Sequence, residues 1–367
     1  RSVTHRAFRP DPERPVDAAS LRLPPYYPDH PLMRRDWALY LETAQHLDDH
    51  VGRVLARLEA EGLAEDTIVF FFGDHGRAMP RGKQFCYEGG MLIPLIVRIP
   101  EKFQPAGWTP GAASDQLVSH IDITATSLAL CGIERPANMH ARVFIGAGAD
   151  PDREIQFCAR DRADETTDRI RAARTRRYKY IRNFMPERPY TQPNNYKDTS
   201  YPPLQLMRQL QAEGKLTVEQ QLFMSARRPE EEFYDLEADP FEVRNLAGSA
   251  EHAAALAEMR GKLEAWIADT GDTGAVPENP VPEEYKLRTQ AGGWMTSNGF
   301  LSQAKGAVRM EWPKAGAVAR LPWVSEPGEY KVTMRARTKD AAPAKLLWAT
   351  VDNMRSRGQE TALTMPA

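Results

Sequence analysis

Residues 67–90, TIVFFFGDHGRAMPRGKQFCYEGG, decide how the chain is read. Residues 67–72 are a continuous run of β-branched and aromatic side chains, which predicts a strand buried on both faces. The run breaks at Gly73 into Asp74-His75-Gly76. The loop that follows carries Arg77, Arg81 and Lys83 before Tyr87-Glu88-Gly89-Gly90. A carboxylate and an imidazole leaving the C-terminal end of a buried strand sit where open α/β sheets place their ligands. The cations beside them suit an anion, and Gly73, Gly76, Gly82, Gly89 and Gly90 let the backbone approach a ligand closely. From the residues alone, Asp74 with His75 reads as a metal pair, a base with its orienter, or a polar turn.

Outward from this stretch, residues 32–61 repeat Trp37, Tyr40, Leu41, Ala44, Leu47, Val51, Val54, Leu55 and Leu58 at three- and four-residue steps. That spacing predicts a helix laying one apolar face on a sheet, with Gly62 as its stop. Residues 1–31 read as an ordered proline- and arginine-rich loop, in which residues 3–8 (VTHRAF) carry the only candidate chemistry. Residues 93–99 (IPLIVRI) predict a second buried strand. Residues 118–133 start extended and turn helical, with His120 and Asp122 serving as caps and turns.

A small α+β subdomain is expected over residues 147–272: a strand at 154–159, a hairpin at 171–183, a polar loop at 194–201, a helix at 204–211, a strand at 232–236 and a helix at 251–269. Residues 273–284 read as a linker. Residues 285–367 read as an incomplete β-sandwich tail. There Trp294, Trp312, Trp323 and Trp348 are assigned to core packing ahead of sugar stacking.

Composition narrows the classes. The 367 residues are 42% hydrophobic and 27% charged with a net charge of -2, which argues against bulk nucleic-acid binding. No apolar run has the roughly 18 residues of a membrane span. Cys86, Cys131 and Cys158 are too few and too scattered for a disulfide framework or a cysteine zinc site. The arginines of residues 169–182 read as a solvated hairpin first and an anion subsite second. The chain opens on Arg1 in mid-pattern, so it is read as a piece of a longer protein.

In its ordered motifs the sequence resembles the type I sulfatases of the alkaline-phosphatase superfamily. They are Gly73-Asp74-His75-Gly76, Gly82-Lys83, Tyr87-Glu88-Gly89-Gly90, Pro94-Leu95-Ile96-Val97-Arg98, Val118-Ser119-His120-Ile121-Asp122, Arg171-Ala172-Ala173-Arg174-Thr175 and Glu232-Phe233-Tyr234-Asp235-Leu236. The resemblance covers residues 1–272 and is nearest the sulfamidase branch. It implies an alkaline-phosphatase-like α/β fold with a sandwiched mixed sheet, here partial, over residues 1–146. It also implies that Asp74 and His75 ligate a divalent cation, taken as calcium. Lys83 falls on the position of the sulfate-binding lysine. His5, in Thr4-His5-Arg6-Ala7-Phe8, falls on a histidine at the leaving side, although Thr4 and Ala7 replace frequent prolines. Arg77, Arg81 and Arg174 are the expected further contacts to substrate.

The family nucleophile is a formylglycine made within Cys/Ser-x-Pro-x-Arg, and no such pattern occurs here. The chain is therefore expected to be an inactive fragment, with the formylglycine in a missing N-terminal part. The expected substrate is a sulfated carbohydrate, as ester or sulfamate, and the expected location is periplasmic or secreted. Two other readings stand: a phosphoester or phosphonate hydrolase, since His75 offers calcium a nitrogen, and a non-catalytic sulfated-glycan-binding protein. Oligomeric state is not legible.

Overall fold

The computed structural model describes residues 4–164 and 166–276, and beyond them only short strands. The chain divides into two compact units, Arg1–Trp323 and Val324–Ala367. Within the first unit the architecture is mixed α/β, as expected.

Helix α1, Pro31–Ala60, begins where the His30 side chain accepts a hydrogen bond from Leu32 N and Pro31 occupies the first turn. Its first half is buried through Met33, Trp37 and Ala38, whereas Val54 and Leu55 remain exposed. Strand β1, Val69–Phe72, pairs antiparallel with β2, Leu95–Arg98, with Phe70 opposite Val97. Between them lies the short helix α2, Glu88–Met91. The two strands are not buried on both faces, because among the described residues no third strand joins the ribbon. Phe72 is 43% and Ile96 62% exposed. Nor does α1 lie on that ribbon; it packs against the helix Pro202–Ala212. Helix α3, His120–Leu130, opens with a Ser119–Asp122 capping box, as its sequence suggests.

A four-stranded antiparallel sheet follows, β3 (Gln156–Ala163), β4 (Thr166–Arg174), β5 (Tyr178–Asn183) and β6 (Glu231–Asp235), in that order across the sheet. Adjacent residues alternate between its two faces. Ala173, Tyr180 and Phe233 pack with Leu256, Met259 and Leu263 of the last helix, Ala253–Asp269. Their neighbours Ala172, Ile181 and Tyr234 join the larger core with Trp37, Tyr87, Met207 and Phe223. One core therefore runs beneath the loop of residues 73–90 and the sheet together, which fixes the loop against β4–β6.

Between β5 and β6 the chain forms α4 (Asn195–Ser200), α5 (Pro202–Ala212) and α6 (Val218–Met224). The first occupies what the sequence suggests is a polar loop. Asn194 caps it by accepting from Lys197 N, and Pro202 starts the next helix. The Ala253–Asp269 helix completes the series as α7. In the predicted tail only antiparallel strand pairs are described: Met295–Thr296 with Ala319–Arg320, Phe300–Ala304 with Ala307–Glu311, and Lys345–Ala349 with Glu360–Thr364. The rest of the expected sandwich, with the side chains of its four tryptophans, lies outside the described residues.

Candidate active site

The loop after β1 folds back on α2 through close backbone contacts. Gly76 N donates to Gly90 O at 2.9 Å and Arg77 N to Gly89 O at 3.0 Å. A Cβ on Gly76 would stand 2.3 Å from Gly89 O, and one on Gly82 would stand 2.1 Å from Arg77 O. Gly76 and Gly82 are thus needed for backbone to meet backbone. Lys83 N donates to Arg77 O at 2.8 Å, closing the turn that presents its side chain. His120 lies within 2.7 Å of Gly73 O through Nε2, tying α3 to the end of β1.

Three sequence candidates meet at one place. Lys83 Nζ lies 2.7 Å from His5 Nε2, and the His5 ring makes an edge contact with His75 at a centroid distance of 5.6 Å. His5 is held there by its neighbour. Arg6 makes a bidentate pair with Asp36 of α1, at 2.5 and 2.6 Å, and its guanidinium lies between the rings of Phe8 and Tyr201. Burial, and then the Lys83 charge, hold the His5 pKa below the usual histidine value. The imidazole is thereby favoured as the neutral partner and accepts at Nε2 from the Lys83 side chain, which has donors only.

Asp74 and His75 stand beside this pair, with Asp74 Oδ2 3.6 Å from His75 Nε2. His75 Nδ1 is 2.7 Å from Gly76 O, a contact only a protonated Nδ1 can make. Its Nε2 lone pair is thereby left for another partner, the arrangement that metal-binding histidines use. The Asp74 carboxylate is almost fully exposed. The two side chains fit as one oxygen and one nitrogen ligand, and among the described residues no cluster of three or more such side chains could hold a metal on its own.

The three arginines expected at the site fare differently. Arg77 is exposed beside the indole of Trp37, 5.8 Å from its centroid. Arg81 is 1% exposed and donates to the carbonyls of Phe241 and Glu242, at 2.8 and 2.6 Å, between the rings of Tyr26 and Tyr87. Such a committed, buried guanidinium serves folding. Arg174 pairs with Glu88, at 3.2 Å. The rest of the arginine run is matched in the same way: Arg171 to Asp161 and Asp272, Arg176 to Asp115 and Asp152, and Arg177 to Asp235. These arginines are spent on carboxylates, but the hairpin is not solvated: Arg171, Ala172, Ala173, Tyr180 and Ile181 are all buried, because the strands lie inside the four-stranded sheet with a core on each face.

Sequence reasoning misses Tyr196 and Lys197. The Tyr196 hydroxyl is 3.1 Å from His5 Nδ1, and Lys83 Nζ lies 4.9 Å from the centre of its ring. Lys197 is buried and donates to Pro80 O and Lys83 O, at 2.9 and 3.0 Å. Burial, with Arg160, Lys83 and Arg6 nearby, pushes its pKa well down. The available signal is Asn194 as a cap and Pro202 as a stop, which together mark a helical turn.

Comparison with known proteins places similarity over the same region. The sulfatase family model matches residues 5–133, and the model of the N-sulphoglucosamine sulphohydrolase C-terminal region matches residues 73–222. An ulvan-active sulfatase of Formosa agariphila is 40% identical over 260 residues, which are 71% of this chain and 42% of that protein. The human N-sulphoglucosamine sulphohydrolase is 28% identical over 286 residues, 75% of this chain and 56% of the relative. The solved structure of yidJ from Bacteroides fragilis superimposes with a TM-score of 0.50 at 21% identity, over 71% of this chain and 49% of that one. The chain thus spans about half the length of these relatives.

Proposed function

We propose, from the premise that the chain belongs to the sulfatase family and carries a sulfamidase-like C-terminal region, that it supplies the leaving-group side of a hydrolase site for sulfated saccharides. The observation that carries this reading is the 2.7 Å approach of Lys83 to a neutral His5, with Asp74 and His75 alongside. As an S–O bond breaks, negative charge builds on the departing oxygen. An ammonium aimed there stabilises that charge and can supply the proton the leaving group needs.

Asp74 and His75 would hold a divalent cation, calcium in the family's usual reading, together with ligands beyond this pair. When bound, it would draw charge from the sulfate oxygens. Arg77, exposed beside Trp37, is assigned to the substrate side. Arg81 and Arg174 are left out of the substrate set, since carbonyls and Glu88 already hold them. No Cys/Ser-x-Pro-x-Arg occurs in the sequence, so none of these residues is assigned the attack on sulfur, which the family gives to a formylglycine. Action on a polysaccharide too large to cross a membrane fits a periplasmic or secreted protein. No helix among the described residues is long and apolar enough to span one.

One observation favours a second reading. The free Nε2 of His75 also suits zinc or manganese, and hence phosphoester or phosphonate hydrolysis. The test is sulfate and phosphate release by the full-length protein, given an aryl sulfate, an aryl phosphate and sulfated oligosaccharides in parallel. Phosphate release without sulfate release overturns the first reading. Tight binding of the oligosaccharides without any turnover makes the protein a glycan binder.

A further inference from the structure

We infer that Tyr196 is a positioning residue that fixes the rotation of the His5 ring against Lys83; the inference rests on the sulfatase reading only for its catalytic consequence. Lysine has donors and no acceptor, so at 2.7 Å Lys83 donates to His5 Nε2. The ring proton is then on Nδ1, and the oxygen nearest to it is the Tyr196 hydroxyl at 3.1 Å. The Arg6 carbonyl stands at 3.4 Å. A phenol accepts from Nδ1–H, and it can equally donate to a bare Nδ1. It therefore holds the ring in one plane whichever nitrogen carries the proton.

The same side chain reaches both members of the pair. Its ring lies 4.9 Å from Lys83 Nζ and 5.6 Å, centre to centre, from the His5 ring. It is also rigidly mounted. Asn194, 2% exposed, caps the turn that carries it, and Lys197 pins that turn to the carbonyls of Pro80 and Lys83. Tyr201 closes the far side with an edge-on contact at 5.3 Å. The turn after β5 thus braces both His5 and Lys83, which come from opposite ends of the first 83 residues.

The test uses Tyr196→Phe, which keeps the ring and its packing and removes only the hydroxyl. Two-bond proton–nitrogen spectra of the histidine rings read the tautomer directly in this chain. Wild type is expected to show His5 protonated at Nδ1 and bare at Nε2. Y196F is expected to keep that tautomer, because Lys83 still donates to Nε2, but to broaden or split the His5 ring signals as the ring leaves its single orientation, while the melting curve stays that of wild type. In the full-length protein, Y196F is expected to lower kcat for an aryl sulfate roughly tenfold with little change in KM, the range in which loss of an orienting partner falls. A wild-type His5 spectrum in Y196F overturns the inference, as does a wild-type kcat. A wild-type protein that shows the expected tautomer but turns over no sulfate refutes the sulfatase reading and leaves the positioning role intact.

Discussion

Lys83 Nζ and His5 Nε2 lie 2.7 Å apart although 78 residues separate them in the chain. Two basic groups share that distance only when one of them is neutral, and burial beside the lysine makes His5 the neutral partner. Lysine can only donate across that contact, which fits the proposal that Lys83 protonates a departing oxygen. Lys83→Ala in the full-length protein is expected to lower kcat/KM for an aryl sulfate by about 10²–10³, the loss typical of removing one preorganised charge-stabilising group. The melting temperature should change little, because Lys83 is only half-buried. Retained activity removes Lys83 from the chemistry.

The His75 Nδ1 contact with Gly76 O makes a prediction about metal choice. With Nδ1 committed, the side chain offers a nitrogen at Nε2, and imidazole nitrogen suits zinc and manganese better than calcium. His75→Asn exchanges that nitrogen for an amide oxygen. It is expected to weaken zinc binding by roughly tenfold while leaving calcium binding nearly unchanged, as measured by metal competition on the full-length protein. No loss for either ion takes His75 out of the ligand set.

Much of this arrangement is legible in the sequence because local rules dominate it. Asp74 and His75 follow a β-branched and aromatic run, and α1, α3 and α7 announce themselves by apolar spacing and caps. What is not legible depends on long-range packing. The burial of Arg81 is set by the carbonyls of Phe241 and Glu242, 160 and 161 residues away. A sequence window around Gly82 cannot distinguish such an arginine from a substrate ligand. Tyr196 escapes for the same reason, since its partners His5 and Lys83 lie far upstream. The exposed faces of Phe72 and Ile96 show the converse: an apolar run promises burial, but only a sheet wide enough can deliver it.

Arg81 supplies a test of that distinction. Arg81→Met keeps the volume between Tyr26 and Tyr87 and removes the donors to two buried carbonyls. The expected cost is about 3 kcal/mol of unfolding free energy, the sum of two lost charge-assisted bonds. Urea unfolding of this chain measures it. Sulfate affinity should not change beyond what the loss of folded protein explains. A stable variant with weakened sulfate binding would return Arg81 to the substrate set.

The Glu231 carboxylate fixes α7 to the sheet and makes the stability of this region depend on acid. Arg260 holds it bidentately at 2.7 and 2.8 Å, and the Tyr180 hydroxyl donates at 2.5 Å. The Arg260 hydrogen bonds are the main reason its pKa falls from the ordinary 4.5 to about 2. The folded pKa lies below the unfolded one, so the unfolded chain takes up the proton first as pH falls. The stabilisation is complete above about pH 4.5 and drains away between there and about pH 2. Glu231→Gln should therefore flatten the fall of melting temperature across that window in part, leaving the slope due to Asp272, which Arg171 likewise holds at about 2, and to other lowered carboxylates such as Glu88 and Asp122. At pH 7 the variant should be less stable by about 1–2 kcal/mol, because Arg260 loses a charged acceptor and Tyr180 keeps only an amide. Melting curves of wild type and variant that run parallel from pH 6 to pH 2 would show that this carboxylate does not link acid to the unfolding of α7.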